Sequence, residues 1–411
     1  MTNADATLAK GPLSGLRVLE LGHFIAAPFC TRILGDLGAE IIKVESPGAG
    51  DPVRSWGKMV EGKSLWWSVH GRNKKSVTLN MKDPKGLDIA RQLIAQSNAV
   101  VENFRPGQLA RWGLGDESIA STNPDCVVVH ISGFGQTGPD SDRSAFGVIG
   151  EAIGGLRHLT GFPDGMTPLP PARTGVSLGD MVAGLYAAVG LLSAIHARRS
   201  RGNAPSQTVD VALTESVFSL LEGCLPEYGK LGEIRQPTGA TLPTNAPSNA
   251  YPTEDGRWII VAANSDALFA RLMELIERQD LAGDPRFKDN PGRVAHANEL
   301  DEVISYWSRG QQADAAARLL AEADIPATPI YTIEDCANDA QFRHRDMILP
   351  VEDPNFGEVL HPGIVPKLSG AEAGGVSWPG PDVGAHTDQI LNELLNLQQK
   401  DIENLRAERV I

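Results

Sequence analysis

Short apolar runs alternate with amphipathic stretches through the first 130 residues, and this alternation restricts the chain to very few folds. LRVLELG (16–22), EIIKVE (40–45), NAVVENF (98–104) and DCVVVHIS (125–132) read as strands. APFCTRILGDLGA (27–39) and GLDIARQLIAQS (86–97) lie between them and carry apolar residues at helical spacing. A strand that reaches the next one through a helix returns in the same direction, which builds a parallel sheet. An α/β domain is therefore expected here. Ligands of such sheets sit beyond the carboxyl ends of the strands, so residues following the apolar runs are the first candidates for function.

The pattern changes near residue 200. RRSRGNAPSQ (198–207) reads as a polar turn and VDVALTESVFSLLEGCL (209–225) as a helix. GEIRQPTGATLPTNAPSN (232–249) is a loop long enough to be functional or domain-linking. AYPTEDGRWIIVAA (250–263) reads as a hairpin turning at Glu254–Gly256, followed by helices around 266–277 and 298–322. A chain of 411 residues exceeds one typical core, and this second block is expected to be a smaller α+β domain.

Charge and cysteine usage narrow the function. Lys and Arg number 37 against 51 Asp and Glu, a formal net charge of −14. That balance argues against nucleic acid and against a membrane surface, both of which reward clustered cations. The four cysteines (Cys30, Cys126, Cys224, Cys336) form no CxxC pair, so no metal site is expected, and scattered thiols suit a cytoplasmic protein. The N-terminal residues lack the apolar core of a secretory signal. The apolar stretch Met181 to Ala197 is shorter than a span and contains His196, so it reads as a buried helix.

Five segments carry candidate chemistry. GFGQTG (133–138) matches GxGxxG after a strand, but Pro139 and the polar residues after it do not open a helix. A Gly-rich active-site loop fits it better than a dinucleotide fingerprint. In TGVSLGDMVAGLYAAVGLLSAIHARR (174–199), Asp180 stands where a glycine-containing loop meets an apolar helix; taken alone, it reads as a helix N-cap. GRNKKS (71–76), LNMKDPKG (79–86) and VENFRPGQLARWGL (101–114) place Lys82, Asn103, Phe104, Arg105, Arg111 and Trp112 after strands. Such a set can hold phosphates through Lys and Arg and stack an adenine ring on Phe or Trp. Any single lysine there also reads as part of a solvated basic face.

LRVLELGHFIAAPFCTRILGDLGAEIIKVESPGAGD, NKKSVTLNMKDPKG, VVENFRPGQLARWGLG, HISGFGQTGP and GVSLGDMVAGLYA, in that order, together with the C-terminal GAHTDQIL, resemble the family III CoA-transferases. This is the formyl-CoA transferase-like (CaiB/BaiF) group, which also contains the alpha-methylacyl-CoA racemases. The resemblance spans essentially the whole chain. It implies a catalytic aspartate at Asp180 and coenzyme A contacts around Ala26, Leu79, Lys82, Asn103, Phe104 and Arg111, to which Arg105 and Arg143 are added as guanidinium groups. It implies an interlocked homodimer, with the active site between a large Rossmann-like domain and a small one. The corresponding boundaries are 1–205 for the large domain (completed by 340–411), 206–230 for a linker helix and 231–339 for the small domain. Coenzyme A and acyl-CoA enter as substrates, with no permanently bound cofactor.

Departures from the formate-specific relatives occur at Ile25, Ser46 and Phe146–Gly147, which argues against formyl-CoA but not against coenzyme A. The racemases need a His–Asp pair where Phe146 and Gly147 stand, and neither of these exchanges a proton. CoA transfer between two carboxylic acids, through aspartyl anhydride and aspartyl-CoA thioester intermediates, is the expected activity, with a small dicarboxylate such as succinate on the donor. The alternatives are an alpha-methylacyl-CoA racemase and a non-catalytic CoA-binding protein. Arg143, Arg173 and Arg235 are candidates for a substrate carboxylate. His23, after the first strand, has a structural or a catalytic role.

Overall fold

The computed structural model describes residues 8–201, 207–370 and 372–411. The chain forms two compact units. One holds the described residues up to Arg157, Arg173–Pro226 and His344–Ile411; the other holds His158–Ala172 and Glu227–Arg343.

The first unit is built on six parallel strands: β1 (Arg17–Glu20), β2 (Glu40–Glu45), β3 (Lys74–Thr78), β4 (Ala99–Glu102), β5 (Val127–Ser132) and β6 (Thr208–Ala212), in the order β3-β2-β1-β4-β5-β6. Apolar side chains point to both faces, as a parallel sheet covered on both sides requires. Val18, Ile41, Val101 and Val129 pack on one face with α1 (Ala26–Asp36) and the long helix Leu178–Arg201. Leu19, Ile42, Val100 and Val128 pack on the other with α2 (Pro84–Ala95) and with residues of the C-terminal helices Thr387–Leu395 and Gln399–Ala407. The strand order reverses between β1 and β4, and at such a reversal the flanking loops diverge and leave a crevice.

The long helix presents Ala183, Ala187, Leu191 and Ala194 to the core. Gly184 lets it approach α1, because a Cβ there would lie 2.8 Å from the Ala26 carbonyl oxygen. This is the apolar stretch expected to be a buried helix. By length and composition it is also long and apolar enough to cross a membrane.

The second unit is α+β. Strands β7 (Ser248–Pro252), β8 (Trp258–Ala262) and β9 (Ala327–Pro329) form an antiparallel sheet in the order β9-β8-β7. Tyr251, Ile259 and Val261 pack against Phe269, Leu272 and Leu300 of its helices. The hairpin turns at Glu254–Gly256, with Gly256 at φ 75°.

Two expectations are corrected. Residues 209–225 do not form one helix: Thr208–Ala212 is a sheet strand, followed by helices Leu213–Phe218 and Cys224–Leu231. Alternation of β-branched residues with Asp210 selects the edge strand. The helix expected over 298–322 breaks into Ala297–Ser308 and Ala313–Glu322, with Arg309–Gln312 between them.

Candidate active site

A cavity of about 530 Å³ opens beyond the carboxyl ends of β1 to β4, at the reversal of strand order. Leu21 and His23 follow β1, Ser46 follows β2, Leu79 and Lys82 follow β3, and Phe104 and Arg105 follow β4. His23, Phe104 and Trp112 make a row of edge-to-face rings, with centroids 5.2 and 5.0 Å apart. This wall offers aromatic faces, and Lys82 and Arg105 are its cations.

A buried charge network fixes the floor. Parallel register sets Glu20 of β1 opposite Lys43 of β2, and Lys43 Nζ lies 2.7 Å from both Glu20 and Asp51. Lys74 Nζ reaches Glu20 at 2.8 Å, and all four side chains are fully buried. The lysines at 74 and 75, expected after a strand, lie within β3. Burial pulls Lys74 down to about 8, against the attraction of Glu20. Burial also works against the Lys43 ammonium, but Glu20 and Asp51 outweigh it and hold it charged. Asp51 Oδ1 accepts the Val53 and Phe24 amides at 2.9 and 3.2 Å. Phe24 has φ 63°, a strained region for an aromatic residue. The network therefore holds the turn that carries His23 into the cavity. Burial lowers the His23 pKa, so the ring is neutral.

A second set of charges supports Phe104. Register places His130 of β5 opposite Glu102 of β4. His130 lies 2.5 Å from Glu102 and 2.9 Å from Asp116, and Glu102 also accepts the Phe104 amide at 2.6 Å. Burial opposes the charge on His130, but the two carboxylates win and push it up to about 9. A histidine raised in this way stabilises the fold fully below its unfolded pKa, near 6.5, and the contribution is lost as pH rises through 9. Unfolding free energy is expected to fall by about 3 kcal/mol across that window. His130→Gln should lack this slope; an equal slope in both proteins would contradict the pairing.

Asp180 is the third residue of the helix Leu178–Arg201. Ser177 precedes the helix and its carbonyl accepts the Met181 amide at 3.0 Å, so Asp180 is not the N-cap expected from sequence. The first turn favours a carboxylate by roughly 0.3–1 kcal/mol. Burial first, then the charge of Glu151, overcome this and push Asp180 up to about 6, against Arg173 and a hydrogen bond from the Gly147 amide. A shift of this size is about 3 kcal/mol, larger than the dipole effect. Gly147 opens α3 (Gly147–Ile153) directly against the carboxylate. A Cβ at Gly147 would lie 2.1 Å from Asp180 Oδ2. Gly147→Ala is expected to displace Asp180 and lower turnover by about 100-fold or more, with coenzyme A affinity unchanged by calorimetry. Unimpaired turnover in that variant would show that the contact does not set the carboxylate.

The cavity brings together Leu79, Lys82, Phe104 and Arg105 of the expected contact residues. Asn103 instead clamps the backbone of His23, accepting its amide at 2.7 Å and donating to its carbonyl at 2.8 Å. Arg111 is exposed and bonds Gln108, whose side chain reaches the cavity. Ala26 is buried beneath Gly184. Arg143 lies over the Phe134 ring and pairs with Asp140, and it does not line the cavity. Arg235 pairs with Glu227 in the second unit. Among the three candidate arginines, only Arg173 acts on Asp180. The Gly-rich loop is tied to β6 through the Gln136 amide, which donates to Asp210 at 2.9 Å, and no helix opens until Gly147. Sequence reasoning passed over Met81, Gln108 and Glu151. For Glu151 a signal existed, its helical i+4 spacing from Gly147.

The sequence profile of CoA-transferase family III matches residues 13–387. The chain belongs to CoA-transferase family III and is an enzyme of that transferase class. It is 46% identical over 401 residues to the succinyl-CoA–D-citramalate CoA-transferase of Chloroflexus aurantiacus, covering 97% of this chain and 98% of that one. It is 32% identical to the human succinyl-CoA:glutarate CoA-transferase, covering 97% and 90%. The crystal structure of a CaiB/BaiF family protein from Brucella suis superposes with a TM-score of 0.82 at 32% identity, covering 94% of this chain and all of that one.

Proposed function

We propose that the enzyme moves coenzyme A from succinyl-CoA to a second small dicarboxylate, with Asp180 as the covalent carrier. The observation that carries this reading is the Asp180 carboxylate: part-buried, raised in basicity and set against the Gly147 amide. The names of the relatives support the dicarboxylate class, and Arg173 supplies a cation beside Asp180 for the remote carboxylate.

Asp180 attacks the thioester carbonyl, forming an aspartyl–succinyl anhydride and releasing the CoA thiolate. The thiolate attacks the aspartyl carbonyl, which frees succinate and leaves an aspartyl-CoA thioester. The acceptor carboxylate attacks that thioester and expels the thiolate, giving a second anhydride. Thiolate attack on the acceptor carbonyl of this anhydride yields the new acyl-CoA and restores Asp180. Phe104 and Trp112 would stack the adenine, with Lys82 and Arg105 on the phosphates; Leu79 would pack beside them. Arg111 lies at the margin, and Asn103 acts by fixing His23.

The protein is read as a cytoplasmic homodimer. Leu185 and Val189 of the long helix, 48% and 61% exposed, together with Phe218 form an apolar face suited to a second copy. Light scattering at one chain mass would refute the dimer. A panel of acyl-CoA donors and carboxylate acceptors read by mass spectrometry tests the activity. Succinyl-CoA with four- and five-carbon diacids is expected to react best; exchange of the acyl α-proton with no transfer would favour a racemase.

A further inference from the structure

A second carboxylate stands behind Asp180. Glu151 follows Gly147 by one helical turn on α3 and is 1% exposed. Its Oε1 accepts the Gly179 amide at 3.4 Å, and its Oε2 receives Arg157 Nη2 at 3.1 Å. Gly179 immediately precedes Asp180, so Glu151 touches the backbone that aims it. Among the described residues, the helices packed here present apolar side chains to the glycines around this point. Helix α1 presents Ala26 and Phe29 to Gly184, and the helix Leu213–Phe218 presents Leu213 and Val217 to Gly150 and Gly154. The charged groups facing Asp180 are Glu151 and, from the loop before the helix, Arg173.

We propose that Glu151 is a positioning residue that holds the Gly179 amide and, paired with Arg157 through its other oxygen, makes the Asp180 carboxylate a stronger nucleophile. This rests on Asp180 being the nucleophile. Two neighbouring carboxylates repel each other while Asp180 is free. Acylation makes Asp180 neutral, so the repulsion is present before the covalent step and absent after it. An interaction that weakens the starting state and vanishes along the reaction lowers the barrier. The raised pKa of Asp180, to which Glu151 contributes after burial, agrees with this geometry.

The test is the rate at which succinyl-CoA, without acceptor, labels Asp180 as a function of pH, with hydroxylamine trapping the adduct. For the wild-type enzyme the rate should rise with a midpoint near the Asp180 value of about 6. Glu151→Gln can still accept the Gly179 amide, but it carries no charge. Its midpoint should fall by about one pH unit and its plateau rate by about tenfold. Arg157→Gln leaves Glu151 without its counter-charge and should move the midpoint upward; it decides the matter alone if the first variant does not fold. Adduct formation at Asp180 with an unmoved midpoint in the folded variants would overturn the role of Glu151 while leaving the nucleophile in place. Absence of any adduct at Asp180 in the wild-type enzyme would overturn the nucleophile itself.

Discussion

Asp180→Asn is expected to lower CoA transfer by about 10⁴-fold or more, while coenzyme A still binds. The amide has nearly the same shape and still accepts the Gly147 amide, but it cannot attack a thioester and then leave. The cavity wall of Phe104, Trp112 and Lys82 is untouched, which separates loss of chemistry from loss of binding. The same variant should be more stable than the wild type. Asp180 is raised to about 6 by burial and by Glu151. A carboxyl raised above its unfolded value of about 4 favours the folded state only while protonated. The wild-type protein therefore loses stability as pH rises from 4 to 6, and the neutral variant does not. A gain of about 1–3 kcal/mol at pH 8, absent at pH 4, is expected from urea unfolding. Transfer at wild-type rates would remove Asp180 from the mechanism.

The largest stability effect should come from Lys43→Met. Its ammonium lies between Glu20 and Asp51 with no solvent contact and donates to the Gly22 carbonyl at 3.0 Å. Removing it leaves two buried carboxylates with Lys74 as the remaining cation beside Glu20. Breaking one side of such a network costs about 3–5 kcal/mol. The loss should extend to coenzyme A affinity, because Asp51 would no longer be held where it fixes the Phe24 and Val53 amides. Adding Asp51→Asn removes one orphaned charge and should recover part of the stability, a non-additivity expected of residues in one network. Urea midpoints of the single and double variants check this; a Lys43→Met midpoint equal to the wild type would show that the network contributes nothing.

Much of the sheet was legible in the sequence because β1, β2, β4 and β5 are short apolar runs separated by amphipathic stretches. β6 was not, since Thr208–Ala212 mixes polar and apolar residues and runs directly into a helix. Glu20, Lys43 and Lys74 look like surface charges in their own segments. They become a buried network only through strand register, which no single segment displays. Asp180 was visible as an acid beside an apolar helix and through the family resemblance. Its environment was not, because Gly147 and Glu151 meet it from a helix about thirty residues earlier. Arg143 shows the converse: a guanidinium of the right type in the right region, drawn instead to Phe134 and Asp140.

The most direct test of the account is to mix the enzyme with succinyl-CoA, trap with hydroxylamine, and sequence the modified peptide by mass spectrometry. One hydroxamate on the carboxyl of residue 180, lost in Asp180→Asn, is the predicted result. Transfer of coenzyme A with that peptide unmodified, or with the label on another carboxylate such as Glu151, would contradict it.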